Sequence, residues 1–303
     1  MRRYTLRQLD TFLEVARQLS VSRAADLLHV TQPAVSMQLR QLEDAVGIPL
    51  LEQTGRQIRL TGAGVDFATY AVGAVAQLTQ LDDAMAQWRG LKKGKVTLAM
   101  VSTAKYFVPM LLVKFRQQFP DIEVTLQIHN RENVMQLLLR NEIDLVIMGR
   151  APDTIDCVAT AFATNPLGII SAPGHPLSRR RNAPLSIVDG QEFVVRESGS
   201  GTRAAMAQLF AEHAITPRIV MEMPSNETIK QAVMAGMGLS FLSLRTLRQE
   251  LAAGHLVLLD VIGLPLVRHW HITHLASKRL SPAASQFKAF LIDEAGPLIK
   301  LWA

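Results

Sequence analysis

Ser22-Arg-Ala-Ala-Asp-Leu-Leu-His-Val-Thr-Gln-Pro-Ala-Val-Ser-Met-Gln-Leu-Arg40 reads as two helices with a break of about three residues around His29–Thr31, the geometry of a helix-turn-helix. Thr31 can cap the second helix, and Pro33 falls in its first turn, where a missing N–H costs nothing. Val35, Leu39, Leu42 and Val46 recur at helical spacing and form one buried stripe. The opposite face carries Gln32, Ser36 and Arg40, with Met37 at its edge, and Gly47 ends the helix. A helix with one apolar face and a short polar face near its N-terminus is what a DNA major groove accepts.

Working outward, Leu6, Leu9, Phe12, Leu13 and Ala16 give a preceding helix a stripe on which this pair can pack. Beyond Gly47, the segment Ile48–Leu60 carries Pro49, Gly55 and the alternation Arg56-Gln-Ile-Arg-Leu60. It reads as a short hairpin, the wing of a winged helix, with its tip at Thr54-Gly55. Arg56 is placed to meet phosphate or enter the minor groove, or else to stand as a solvated turn residue.

The run Thr31-Gln-Pro-Ala-Val-Ser36 is followed by Leu42-Glu, Gly47-Ile-Pro-Leu, Thr54-Gly-Arg and Leu60-Thr-Gly-Ala-Gly64. On these motifs the chain resembles LysR-type transcriptional regulators, whose pattern implies DNA contacts from Gln32, Pro33, Ser36, Met37, Arg40 and Arg56. Leu51 stands where that family commonly has Phe, Gln53 where Arg is common, and Met37 where a polar or basic residue is frequent. The departures imply fewer phosphate contacts and an apolar contact at Met37, and so bear on the operator sequence rather than on the fold.

From Thr61 to Trp88 the pattern changes. Phe67, Ala71, Ala74, Leu78, Leu81, Met85 and Trp88 are spaced 4-3-4-3-4-3, a heptad seam that must be buried against a partner subunit or within its own chain. The resemblance makes it the dimerising linker helix. A two-fold dimer sets two recognition helices about 34 Å apart and expects a palindromic operator in double-stranded DNA. Gly90-Leu-Lys-Lys-Gly-Lys95 reads as a hinge, its lysines solvated.

Beyond Val96 strands and helices alternate, which argues a parallel α/β sheet. Strands are expected at Val96–Val101, Ile122–Ile128, Leu145–Met148, Leu167–Ser171, Phe193–Arg196, Ile219–Met223, Leu239–Leu242 and Trp270–His274. Helices are expected at Tyr106–Phe119, Glu132–Arg140, Thr202–His213, Glu227–Ala235 and Pro282–Ile299. Two α/β lobes joined by two crossovers resemble type II periplasmic binding proteins, the fold of the LysR-type sensor half. The expected organisation is a winged helix-turn-helix at 1–60, a dimerising helix at 61–90 and an effector-binding domain at 91–303. Its first lobe takes about 91–163 with 268–303, and its second about 164–267.

Ligands of open α/β sheets bind at the carboxyl ends of strands, where helix N-termini offer free N–H groups. One such junction is Val101-Ser-Thr-Ala104, with two hydroxyls; another is Glu197-Ser-Gly-Ser-Gly-Thr-Arg203, with glycines at 199 and 201 and a cation at 203. The expected effector residues are Ser102, Thr103, Ala104, Gly149, Arg150, Asn165, Ser200, Gly201, Thr202, Arg203, Asn226 and Thr228, a set suited to a carboxylate or phosphate. The glycine run has neither the ending of a Walker A loop nor dinucleotide-fingerprint spacing.

Within the LysR-type family the chain is similar to regulators of carbon dioxide fixation operons. The residues are Asn130-Arg-Glu132, Asp144-Leu-Val-Ile-Met-Gly-Arg150, Asn165-Pro166, Gly174-His-Pro-Leu177, Arg196-Glu-Ser-Gly-Ser-Gly-Thr-Arg203 and Asn226-Glu with Ile229-Lys-Gln-Ala-Val. That similarity implies NADPH, phosphoenolpyruvate or ribulose bisphosphate as effector; the alternative is an aromatic or other carboxylate, which the cleft would also suit. It also implies a homodimer or dimer-of-dimers homotetramer, and contact with RNA polymerase is compatible with it.

Composition bounds the remaining classes. The 303 residues suffice for two or three compact units, and a net charge of +6 suits a polyanionic partner. One cysteine, Cys157, excludes an internal disulfide. Arg2 and Arg3 precede an amphipathic rather than an apolar stretch, and no apolar run is long enough to span a bilayer, so a cytoplasmic protein without membrane contact is expected. His269-Trp-His-Ile-Thr-His274 has no carboxylate or thiol close in sequence, and neither a metal nor another cofactor is expected. A DNA-tethered α/β enzyme is disfavoured because Gly-x-Ser-x-Gly and paired acid/base motifs are missing.

Overall fold

The computed structural model describes residues 4–54, 57–88, 93–151 and 154–301. Its contacts divide into two compact units, Met1–Gly90 with Arg140–Glu142, and Leu91–Leu139 with Ile143–Ala303.

In the first unit three short helices are each started by a hydroxyl. Thr5 and Gln8 form a capping box at α1 (Leu6–Gln18), Ser20 accepts from the Arg23 amide at α2 (Val21–Leu27), and Thr31 accepts from the Ala34 amide at α3 (Gln32–Val46). Gly47 closes α3 at φ +86°, a conformation that favours glycine. Phe12, Val15, Val35 and Leu42 are fully buried in the shared core. Leu6, expected in the buried stripe of α1, is 48% exposed in its first turn, and Val15 completes that face instead.

The wing is the antiparallel pair β1 (Leu51–Thr54) and β2 (Gln57–Leu60), in register Leu51↔Leu60. Glu43 of α3 anchors its root by accepting from the Leu50 and Leu51 amides at 2.8 and 3.0 Å. The long helix α4 (Gly62–Trp88) follows. A Cβ on Gly64 would sit 1.9 Å from the Leu50 carbonyl oxygen, so the helix starts directly against the wing backbone.

The heptad seam of α4 is divided. Phe67 meets the Tyr4 and Phe12 rings edge-on at 5.8 and 5.3 Å, and Ala71 is buried in the same core. This part of the seam packs within its own chain, because the three preceding helices present an apolar surface within reach. Further on, Leu78, Leu81 and Met85 are exposed, 36%, 53% and 45% respectively.

The second unit begins with β3 (Gly94–Val101), a 3-10 turn at Ser102–Tyr106, α5 (Val108–Gln118), β4 (Ile122–His129), α6 (Arg131–Leu139) and β5 (Leu145–Met148). β3 lies parallel to both β4 and β5. The single helix expected over Tyr106–Phe119 is thus interrupted: Pro109 fits only the first turn of a helix, so α5 starts beside it and the preceding residues coil more tightly.

β6 (Cys157–Ser171) crosses to the second lobe, which holds β7 (Glu192–Arg196), α7 (Gly201–Glu212), β8 (Arg218–Met223), α8 (Asn226–Met234), β9 (Ser240–Ser243), α9 (Arg248–Ala252) and β10 (Val257–Leu258). β11 (Leu266–Leu275) returns, and α10 (Pro282–Leu301) covers the first lobe. The sheet order is β10-β6-β11-β5-β3-β4, with β9 also on β6, while β7 and β8 form a separate parallel pair. The sheet is mixed, not parallel, because β11 runs antiparallel to both β5 and β6.

β6 and β11 are also longer than expected. Their mutual ladder runs from Leu266↔Leu167 to Leu275↔Cys157, and inter-strand hydrogen bonds hold a stretch of Ala and Thr that has little apolar periodicity. Each lobe has its own core, around Met100, Phe115, Trp270 and Phe287 in the first and around Phe193, Phe210 and Phe241 in the second.

Candidate functional site

Two surfaces answer to the expected chemistry. On α3, Gln32, Pro33, Met37 and Arg40 are exposed and Ser36 is half-buried, on the side away from Val35, Leu39 and Leu42. Arg56 lies outside the described residues, as does the side chain of Trp88.

The second surface is a cavity of about 200 Å³ between the lobes of the second unit. Strand ends and helix starts build it: Ser102 and Thr103 after β3, Asn130 and Arg131 at the start of α6, Gly149 and Arg150 after β5, and Arg196 at the end of β7. Ser200, Gly201 and Thr202 open α7, which adds Ala204, Ala205 and Gln208, while the crossovers give Asn165 and Leu167 from β6 and Arg268 and Trp270 from β11. Two helix N-termini thus face one space. Asn130 Oδ1 accepts from the Asn133 amide at 2.9 Å, and Ser200 Oγ from the Thr202 amide at 3.2 Å. The remaining first-turn N–H groups and the helix dipoles favour an anion there.

The charge balance points the same way. Four arginines line the cavity and none of its described lining residues is acidic. Arg196, 3% exposed, is committed to structure: it donates to both Glu197 carboxylate oxygens at 2.7 and 2.9 Å, to Asn226 Oδ1 at 2.7 Å and to Ser102 Oγ at 3.2 Å. Arg268 donates from Nη2 to Gln208 Oε1 at 3.0 Å, whereas its buried Nε has no acceptor among the described residues. Trp270, 1% exposed, lines the same cavity with its indole N–H also unmatched among the described residues. A buried donor without an acceptor is costly.

Of the residues expected from sequence, Ser102, Thr103, Gly149, Arg150, Asn165, Ser200, Gly201 and Thr202 line the cavity. Ala104 is fully buried in the core of the first lobe. Arg203 does not line the cavity: Gly201, Ala204, Ala205 and Gln208 recur at helical spacing on the cavity face of α7, and residue 203 falls off that face. Asn226 is 3% exposed and acts on Arg196 instead, while Thr228 is exposed and donates its amide to Ser225 Oγ at 3.4 Å. The glycine at 199 has a different task from the one expected. A Cβ there would stand 2.9 Å from Glu132 Oε2 and 3.1 Å from Asn130 Nδ2, so the loop before α7 docks on the start of α6.

Sequence reading missed Asn130, Arg131, Arg196, Gln208, Arg268 and Trp270 as site residues. Asn130, Arg131 and Arg196 stood in the motifs that carried the family resemblance. Arg268 and Trp270 alternate on β11, and only the pairing of β11 with β6 brings them to the cleft.

A second inter-lobe contact lies beside the cavity. Tyr106 donates its hydroxyl hydrogen to Glu227, whose other oxygen is 2.8 Å from Lys230 Nζ. Lys230, 3% exposed, also meets Glu250 at 2.7 Å and lies 5.1 Å from the Tyr106 ring centroid. Burial and the neighbouring carboxylate push the Tyr106 hydroxyl far above its ordinary value. For Glu227 burial acts upward, but the hydrogen bonds from Lys230 and Tyr106 and the charge of Lys105 outweigh it and hold the carboxyl below its ordinary value.

Among the described residues no group of three or more His, Cys, Asp or Glu is placed to hold a metal ion. His271 meets the Gly149 carbonyl at 3.0 Å and His274 the Leu275 carbonyl at 2.9 Å. No helix among those residues is long and apolar enough to cross a membrane.

A DNA-reading helix in one unit and an anion-adapted cavity between two lobes in the other define an effector-responsive transcriptional regulator. The chain belongs to the LysR family: residues 6–65 match the bacterial regulatory helix-turn-helix protein, lysR family, and residues 89–296 match the LysR substrate binding domain. It is 42% identical to the HTH-type transcriptional regulator CfxR of Cupriavidus necator, over 99% of this chain and 94% of that one. It is 44% identical to a RuBisCO operon transcriptional regulator of Allochromatium vinosum, over 96% of each. The Synechocystis CcmR regulatory domain, solved in complex with 2-PG, matches 66% of this chain and 96% of its own at 41% identity and a TM-score of 0.64. These relatives are regulators, and the chain is a ligand-responsive DNA-binding regulator rather than an enzyme.

Proposed function

We propose that this regulator controls carbon dioxide fixation genes in response to a small phosphorylated carboxylate held in the inter-lobe cavity. The observation that carries the reading is the pair of buried, unmatched donors, Arg268 Nε and Trp270 Nε1, on one wall of a cavity lined by four arginines. Size narrows the chemistry. At about 200 Å³ the cavity is below the roughly 300–1,000 Å³ of common small-molecule sites, so it favours a two- or three-carbon phosphorylated acid, such as 2-phosphoglycolate or phosphoenolpyruvate, over a dinucleotide such as NADPH. The relatives named for the RuBisCO operon and the 2-PG complex of CcmR support the same assignment.

The wing and α3 read a palindromic operator through Gln32, Pro33, Ser36, Met37, Arg40 and Arg56. The exposed Leu78, Leu81 and Met85 of α4 pair two subunits, and two dimers form a tetramer able to meet RNA polymerase in the cytoplasm. On this reading 1–60 bind DNA, 61–90 dimerise and 91–303 sense the effector.

Footprinting on a carbon-fixation promoter tests the proposal. The pattern of protected bases should change on addition of 2-phosphoglycolate or phosphoenolpyruvate. An unchanged footprint with both, alongside a response to an aromatic or other unphosphorylated carboxylate, would overturn the effector class and leave the family intact.

A further inference from the structure

A second recess, of about 420 Å³, opens where the end of α10 crosses the two crossover strands. Its floor is apolar, built from Phe162 on β6 with Gly296 and Pro297 on α10. A Cβ on Gly296 would come within 3.2 Å of the Phe162 carbonyl oxygen, so this glycine keeps the helix close to the strand. Three nitrogen-bearing side chains rim the floor: Arg245 from the turn after β9, His269 from β11 and Lys300 from the last turn of α10. None of the described residues lining the recess is acidic.

Arg245 marks it as a ligand site. Its Nε is buried and has no acceptor among the described residues, and Nη1 reaches only the Ile299 carbonyl, at a long 3.4 Å. Burial lowers the pKa of this guanidinium, the mark of a cation short of compensating charge. A guanidinium, an ammonium and an imidazole around an apolar floor match a phosphate group attached to an organic body.

We propose that this recess is a second anion site, for a phosphate monoester, distinct from the inter-lobe cavity. Arg245 belongs to the second lobe and α10 covers the first, so a bound phosphate bridges the lobes on the hinge side and resists their relative rotation. The site shares β6 and β11 with the cavity but none of its lining residues.

The test is equilibrium dialysis of the full chain against radiolabelled inorganic phosphate, with Arg245→Gln, Lys300→Gln and Arg268→Gln variants. The recess component of phosphate binding should weaken about tenfold or more in each of the first two and survive in Arg268→Gln. Lys300 is exposed, so its variant keeps the test valid if Arg245→Gln fails to fold. Amide exchange over 161–164 should slow when phosphate is added to the wild type and stay unchanged in Lys300→Gln. An unweakened recess component in Lys300→Gln, or wild-type phosphate binding that is lost entirely in Arg268→Gln or is absent, would overturn the inference. The cavity is judged separately, by 2-phosphoglycolate binding and its loss in Arg268→Gln.

Discussion

Arg196 and His274 are both buried polar residues, but charge compensates one and neutrality the other. Arg196 is matched by Glu197, Asn226 and Ser102. Replacing it by Gln leaves the carboxylate and the amide short of partners, so Arg196→Gln should lower unfolding free energy by about 1–3 kcal/mol, read from urea denaturation. His274 accepts no proton readily, because burial comes first in lowering its pKa and the nearby Lys288 and Lys278 add to it. Its Nδ1 faces the Leu275 carbonyl at 2.9 Å and its Nε2 the Lys288 ammonium at 3.1 Å, an arrangement that suits the neutral ring. A folded pKa below the unfolded value of about 6.5 means that the unfolded chain binds more protons in that window. The stabilisation is complete above pH 6.5 and is lost as pH falls through the folded value. Melting temperature should therefore drop from pH 7 towards pH 5.5, and His274→Gln should flatten that slope; an identical slope in the variant would contradict the assignment.

At the scale of elements, the closest fit in the first unit is Gly64 against Leu50. A methyl group there would meet a backbone oxygen at 1.9 Å, so α4 must move off the wing. Gly64→Ala is expected to cost about 1–3 kcal/mol or more and to melt the DNA-binding unit early, observable as loss of operator binding on mild warming. The exposed end of α4 gives the complementary expectation. Leu81→Glu should leave the first unit folded but shift sedimentation towards monomer, and an unchanged oligomeric state would remove α4 from the interface. The recognition helix was legible because caps and apolar spacing are local: Thr31, Pro33 and Gly47 all act as read. The heptad of α4 was legible as a seam but not as two surfaces, since nothing in its spacing distinguishes Phe67, held by Tyr4 and Phe12, from exposed Leu81. The strand–helix junctions at Ser102 and Ser200 announced themselves by composition. Arg268 and Trp270 did not, because their place depends on the long-range β11–β6 register.

Over the whole molecule, the proposed function has a cationic chain of net charge +6 devote separate surfaces to two kinds of phosphate, the DNA backbone and a small metabolite. The two lobes of the second unit meet through the Tyr106–Glu227–Lys230 contact and through the close approach of Gly199 to Glu132. Removing the hydroxyl in Tyr106→Phe should loosen the lobes and weaken effector affinity several-fold without touching any cavity-lining group, as titration of the variant would show. The central claim is that the cavity takes a small phosphorylated carboxylate on Arg268. Its most direct test is calorimetric titration of the full chain with 2-phosphoglycolate, wild type beside Arg268→Gln. The account predicts saturable binding near one ligand per chain that weakens about 10- to 100-fold in the variant; equal affinity in the two proteins, or no binding to either, would contradict it.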